Sequence, residues 1–417
     1  MRRGHFCVLL TLRKTAVGLA LLAVGCQAVS APAPEPDQQP KRLPEKIVQT
    51  WRDTDAQVGW LRVAPSGALG FVKVDAGKAG DLAAFRFKDW KEGALTKLSD
   101  PGQPFGLDLL NTEVTNAGLK ELAGLISLQS LNLAQTQVTD TGLKELAALK
   151  NLQSLDLLQT KVTDAEIKEL LGLKSLQVLG LNGTQVTNTG LKQLAGLKTL
   201  HSLDLNNTKV SDAGMKELAG LECLQSVDLG ATQVTDAGLK ELAELRNLRS
   251  LDLSWTTQVT DAGLKELAGL KSLQVLNLHY TVKVTDAGIK ELAGLKKLRV
   301  LILSDTQVTD AGLKELTGIK GLHTLGLSET AVTDAGLKEL AKLKTLKLLD
   351  PLETKVTDAG VKELQKALPD CEIRFELQKQ HLGQKPLPYV LYVPEFAFNA
   401  PMTFSSTSTS CTQCLTM

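Results

Sequence analysis

The sequence predicts an α/β solenoid, with a curved parallel sheet inside, short helices outside, and a small α+β cap at its N-terminal end. Three observations predict it. A pattern with a period of 24 residues, seen in LQSLNLAQTQVTDTGLKELAALK from Leu128 to Lys150, returns from about Leu107 to Phe375. Within each copy the apolar spacing changes from two, the period of a strand, to three, the period of a helix. One place is Thr in all eleven copies: Thr112, Thr136, Thr160, Thr184, Thr208, Thr232, Thr256, Thr281, Thr306, Thr330 and Thr354.

The strand comes first in each copy. Leu131 and Leu133 point one way, and Ser130, Asn132 and Ala134 the other. Equivalent pairs run from Leu107/Leu109 to Ile373/Phe375, in steps of 24 residues except two of 25 on either side of Leu276. A strand of about three residues is too short to stand alone. Twelve of them stacked ~4.8 Å apart make a slab on the order of 50 Å long. The turn follows, with the Thr hydroxyls as a buried ladder that can donate and accept, and Val138 has a Val equivalent in every copy. The helix closes the repeat. Leu143, Leu146 and Leu149 face the strand leucines, Thr139 is its N-cap, and Asp140 sits where the helix dipole favours an anion. Lys144 and Glu145 lie outside, and the glycines of the Gly142 type serve the turn into the helix. No single copy can bury its apolar face without neighbours.

This pattern resembles the leucine-rich repeat family, with Thr where that family usually holds Asn or Cys. The turn spelled Thr235-Asp236-Ala237-Gly238-Leu239 is similar to the repeats of F-box and ribonuclease-inhibitor-like proteins. Leu43-Pro44-Glu45 also resembles the opening of an F-box, which implies a ubiquitin-ligase substrate adaptor. The three helices of an F-box do not follow it, and an export signal precedes it. The resemblance is therefore read as one to a bacterial exported leucine-rich repeat protein.

The chain divides in order. Residues 1–26 read as a signal peptide: Arg2, Arg3, Arg13 and Lys14 precede the apolar run Ala16 to Val24, too short to span a membrane. Ala23-Val24-Gly25-Cys26 resembles the lipobox of bacterial lipoproteins, which implies lipid attachment at Cys26; the alternative is simple cleavage after Val29-Ser30-Ala31. Residues 27–43, rich in Pro, Ala and Gln, read as a disordered tether. Residues 44–104 form the cap, with a helix from Pro44 to about Ala56 and a hairpin of Val58–Val63 and Phe71–Val74 about Pro65-Ser66-Gly67. Its aromatics Trp51, Trp60, Phe71, Phe85, Phe87 and Trp90 are expected to cover the end of the first repeat. The solenoid occupies 105–376. In its last full copy Pro351 replaces a strand leucine and cannot donate a ladder bond. Residues 377–417 lose the period and read as a disordered tail, with Cys411 and Cys414 as an isolated pair.

Net charge is +1, from 47 basic and 46 acidic residues, which argues against nucleic acid as a partner and leaves the membrane accessible only through a lipid anchor. No nucleophile–His–acid grouping, phosphate-cradling glycine loop or metal-ligand spacing is legible, so no enzyme and no cofactor is expected. His201 and His323 read as solvated surface. The concave face, by contrast, gathers Asp108, Asp156, Asp204, Asp228, Asp252, Asp305, Glu329, Asp350, Glu353 and Glu372 against Arg374 alone. That excess favours a basic ligand over a polyanion. A local reading stays open, in which Asp204 bonds a neighbouring hydroxyl such as Ser226.

The candidate ligand-binding patch lies in the two 25-residue copies. Trp255 and Tyr280 stand just before Thr256 and Thr281, so stacked strands set them side by side at the concave edge. Asp252, Asn277, His279, Ile302 and Asp305 surround them. Aromatics on a polar-rimmed face are common binding hot spots; the other role open to these rings is to cover the bulges made by Thr257 and Val282-Lys283. The function expected is non-catalytic binding of a protein or peptide in the cell envelope. The alternative is an architectural spacer without a discrete ligand.

Overall fold

The computed structural model describes residues 40–64, 66–96 and 98–375. The signal segment with Cys26, most of the tether, and the tail with Cys411 and Cys414 lie outside them. Among the described residues fifteen strands form one sheet, stacked in chain order from the last strand, Glu372–Ile373, back to the first repeat strand. From Leu131 onward register is strict: Leu131 pairs with Leu155, Leu155 with Leu179, and Leu251 with Leu276, all parallel. Most strands are three residues long, as in Ser154–Asp156, and pairing on both sides supplies what so short a strand lacks. Short helices such as Asp236–Leu242 return the chain to the next strand. Leu131, Leu133, Leu143, Leu146 and Leu149 are all inaccessible to solvent and belong to one continuous core.

The cap extends the same sheet. Helix α1 (Glu45–Arg52) is shorter than its sequence suggests. Strand β1 (Gln57–Val63) pairs antiparallel with β2 (Leu69–Lys73) and with β3 (Leu82–Arg86), and β3 pairs parallel with β4 (Phe105–Asp108), the first repeat strand. Trp51 stacks on Phe85 with ring centroids 4.2 Å apart and meets Phe105 edge-on at 5.6 Å, so an aromatic plug joins cap to solenoid. Leu43, at the end of the expected tether, is buried in this core.

All eleven ladder threonines act alike. Each Oγ1 donates to the carbonyl three residues earlier, as Thr136 does to Leu133 at 2.6 Å and Thr208 to Leu205 at 2.6 Å. The hydroxyls therefore satisfy the turn's own backbone rather than one another.

Neighbouring repeats are clamped by an Asp that opens the helix in most copies. Asp140 accepts from the backbone N–H and the Oγ1 of Thr163, both at 2.7 Å, one repeat later. Asp164, Asp212, Asp236, Asp261, Asp286, Asp310 and Asp334 do the same toward Thr187, Thr235, Thr260, Thr285, Thr309, Thr333 and Thr357. The bonds from Thr357 hold the Asp334 carboxyl below the usual range. Most of these threonines also cap their helix, as Thr235 accepts from Ala237 N–H. Thr139 does not. There the preceding repeat offers Asn116, whose Nδ2 donates to Thr139 Oγ1 at 2.7 Å, and no cap bond forms.

The same clamp corrects the role of the helix glycines. They are not left-handed; a Cβ at Gly312 would stand 2.5 Å from Asp286 Oδ1, so glycine leaves room for the clamp. Where Glu166 replaces that glycine, the α-helix is lost and Ile167–Gly172 forms a 3₁₀ turn instead.

One contact reaches far along the chain. The β1–β2 turn lies on the concave face: Ser202 Oγ donates to Ser66 O at 3.3 Å, and a Cβ at Gly67 would meet Ser202 Oγ at 2.5 Å. Leu61 packs over Gly106, which has no side chain to obstruct it. The hairpin thus covers the concave face of the first repeats, and the repeats beyond Ser202 lie past its tip.

Candidate binding surface

The residue before each ladder Thr is the point where the chain turns from strand to helix. It has positive φ in all eleven copies, from 51° at Ala231 to 67° at Gly183. Most copies hold Asn, Gln, Gly or a small or acidic residue there. Trp255 (φ 62°) and Tyr280 (φ 58°) do not, and a bulky ring in this region is strained by ~1–2 kcal/mol. Their N–H groups donate to His279 O at 2.8 Å and Ser304 O at 2.9 Å, so the ladder itself imposes the conformation.

The two rings stack with centroids 3.9 Å apart and planes 24° from parallel, and Trp255 is 50% exposed. His279 meets Trp255 edge-on at 5.5 Å, and its Nδ1 lies 3.3 Å from Asp305 Oδ2. Asp252 and Asn277 are beneath the rim and already engaged. Asn277 Nδ2 donates to Asp252 Oδ2 at 2.7 Å, and their Oδ1 atoms accept from His279 N–H and Ser254 N–H. Ile302 does not line the surface. It is 2% exposed and clusters with Val275 and Val300, leaning into the space left by Gly326 on the next strand.

The concave acids follow one local rule. Asp108, Asp156, Asp204, Asp228, Asp252 and Asp350 each accept from the backbone N–H two residues on, as Asn132 and Asn277 do. Asp204 therefore bonds Asn206 N–H, at 2.9 Å, rather than Ser226. Asp108, Asp156 and Asp350 are buried and present little charge to a ligand. Asp204 and Asp228 are neighbours in register, as are Asp228 and Asp252. Burial, then the nearby carboxylates Asp156 and Asp252, push Asp204 up to about 6; burial and the charges of Asp252 and Asp204 raise Asp228 well above the ordinary range. Among the described residues no three His, Cys, Asp or Glu side chains are disposed to share a metal ion. His201 and His323 are half-buried rather than solvated, with Nδ1 2.7 Å from Thr199 O and 2.5 Å from Gly321 O.

Residues 124–147, 196–219, 220–243, 244–268 and 294–316 match the family model described as Leucine Rich repeat. The repeats are leucine-rich repeats. Among solved structures, this leucine-rich-repeat solenoid is similar to an internalin of Listeria monocytogenes, with a TM-score of 0.52 and 19% identity over 81% of this chain and 94% of that one. It is also similar to a leucine-rich-repeat protein of Leptospira interrogans, with a TM-score of 0.42 and 23% identity over 81% of this chain and 100% of that one. The internalin likeness is one of fold alone. No curated protein sequence matches the chain.

Proposed function

We propose that this leucine-rich-repeat solenoid is a non-catalytic scaffold that binds a protein or peptide outside the cytoplasm, with Trp255 and Tyr280 as the centre of contact. The observation that carries this reading is the stacked pair held in left-handed backbone, with Trp255 half-exposed. Covering a lengthened turn does not call for a strained indole with half its surface in water. Such rings give a partner most when it desolvates them. In support, the hairpin tip rests at Ser202, short of these repeats, and Trp255 is half-exposed. The test is a peptide selected from a random library on the full chain. Its affinity for W255A/Y280A should fall by at least ~2 kcal/mol, with melting nearly unchanged. Undiminished binding by the double variant refutes the reading, as does a collapse in melting temperature.

In the same reading the chain is exported and held in the envelope by a lipid on Cys26. Among the described residues no helix is long and apolar enough to cross a membrane. Cys26→Ser should move the protein from the membrane to the soluble fraction of its native host; a wild type already soluble there refutes the anchor.

A further inference from the structure

We infer that the partner of this surface is an extended cationic segment of a protein, lying across the strands with an Arg or Lys against the rings and others over Asp305, Glu329 and Glu353. This rests on the proposed binding role of Trp255 and Tyr280. The rim position just before the ladder Thr reads Trp255, Tyr280, Asp305, Glu329, Glu353 in five consecutive repeats, so two stacked rings are followed directly by three carboxylates. No copy of that position is Lys or Arg. Glu329 and Glu353 are exposed, and neither is in an ion pair among the described residues; Asp305 lies against His279 and shares a hydrogen bond with the Glu329 carboxyl. On the helix side carboxylates do find a base, as Glu339 finds Lys342. Glu329 and Glu353 therefore carry like charge that no base among the described residues pairs with. Desolvation and the facing charges of Asp305 and Glu353 raise the Glu329 carboxyl, the electrostatic mark of that crowding.

Spacing decides the shape of the partner. Rim groups repeat at the ~4.8 Å interval of the strands, so the three carboxylates span about 10 Å. Alternate side chains of an extended segment stand ~6.7 Å apart, which puts two cations within that span. A third falls on the ring pair, where a guanidinium gains a cation–π contact. A polyanion meets the same row with repulsion.

The probes are labelled hexaarginine, hexaglutamate and glycine–serine hexapeptides, read by fluorescence anisotropy on the full chain. Hexaarginine should bind and hexaglutamate should not. Both E329Q/E353Q and W255A/Y280A should weaken hexaarginine at least about tenfold. The charge-matched control E222Q/E244Q, exposed at the opposite edge of the solenoid, should change it less than about twofold. Equal effects of the two glutamate pairs overturn the inference, because attraction would then be to net charge alone. Spermidine binding as tightly as the peptide overturns it as well, since no extended segment would be needed. If hexaarginine fails to bind, yet W255A/Y280A loses a neutral library-selected peptide, the cationic assignment falls and the binding role stands. If both fail, both fall.

Discussion

Asp204→Asn should make the protein more stable at neutral pH, although it removes a side chain that is hydrogen-bonded in the fold. Asp204 Oδ1 accepts from Asn206 N–H at 2.9 Å, and an amide oxygen can do the same, as Asn132 and Asn277 do in their own copies. What the substitution removes is a half-buried charge beside Asp228. The carboxyl is raised from 3.8 to about 6, first by burial and then by the charges of Asp156 and Asp252. Its folded pKa therefore exceeds its unfolded value, and the folded chain binds the proton more tightly. Wild-type stability should fall as pH rises from about 4 through 6. Two units at ~1.4 kcal/mol each set an upper bound of about 3 kcal/mol above pH 7, and about 1–2 kcal/mol is expected once relaxation of the site is allowed. The assay is thermal melting of both proteins at pH 5 and pH 7.5. The variant should melt several degrees higher at pH 7.5, with a smaller gap at pH 5. A variant that melts at or below wild type at pH 7.5 would show that the carboxylate row is not a burden on the fold.

Thr208→Val keeps the shape of a buried side chain but removes the donor to Leu205 O, and should cost ~1–3 kcal/mol by chemical denaturation; an unchanged midpoint would mean that carbonyl is satisfied without it. Gly312→Ala should destabilise by ~2 kcal/mol or more, because its Cβ would displace the Asp286 carboxylate from Thr309. Circular dichroism and melting check this, and a neutral outcome would return the glycine to a turn-forming role.

The period alone determined that the sheet is parallel, which leucines fill the core, and that Trp255 would stand beside Tyr280. All three follow from the alternation of strand side chains and a constant step between copies. The same step made the eleven threonines legible as a structural device, although not which carbonyl each one bonds. Tertiary structure decided the rest. The bonds from Asp140 to Thr163, and the glycine that makes room for such bonds, join residues a full repeat apart, so within one copy Asp looks like a dipole partner and Gly like a turn. The left-handed backbone at Trp255 comes from the ladder bond to His279 O, which does not exist until the next repeat is stacked. Ile302 and Asp252 occupy outward strand positions, as read from the sequence, yet one is buried and the other engaged by Asn277. Alternation fixes the direction of a side chain, whereas its exposure depends on how closely the curved strands crowd their outer faces. The contact of Ser66 with Ser202, across 136 residues, is the extreme case. A hairpin is legible locally, but where its tip comes to rest depends on the curvature of every repeat between.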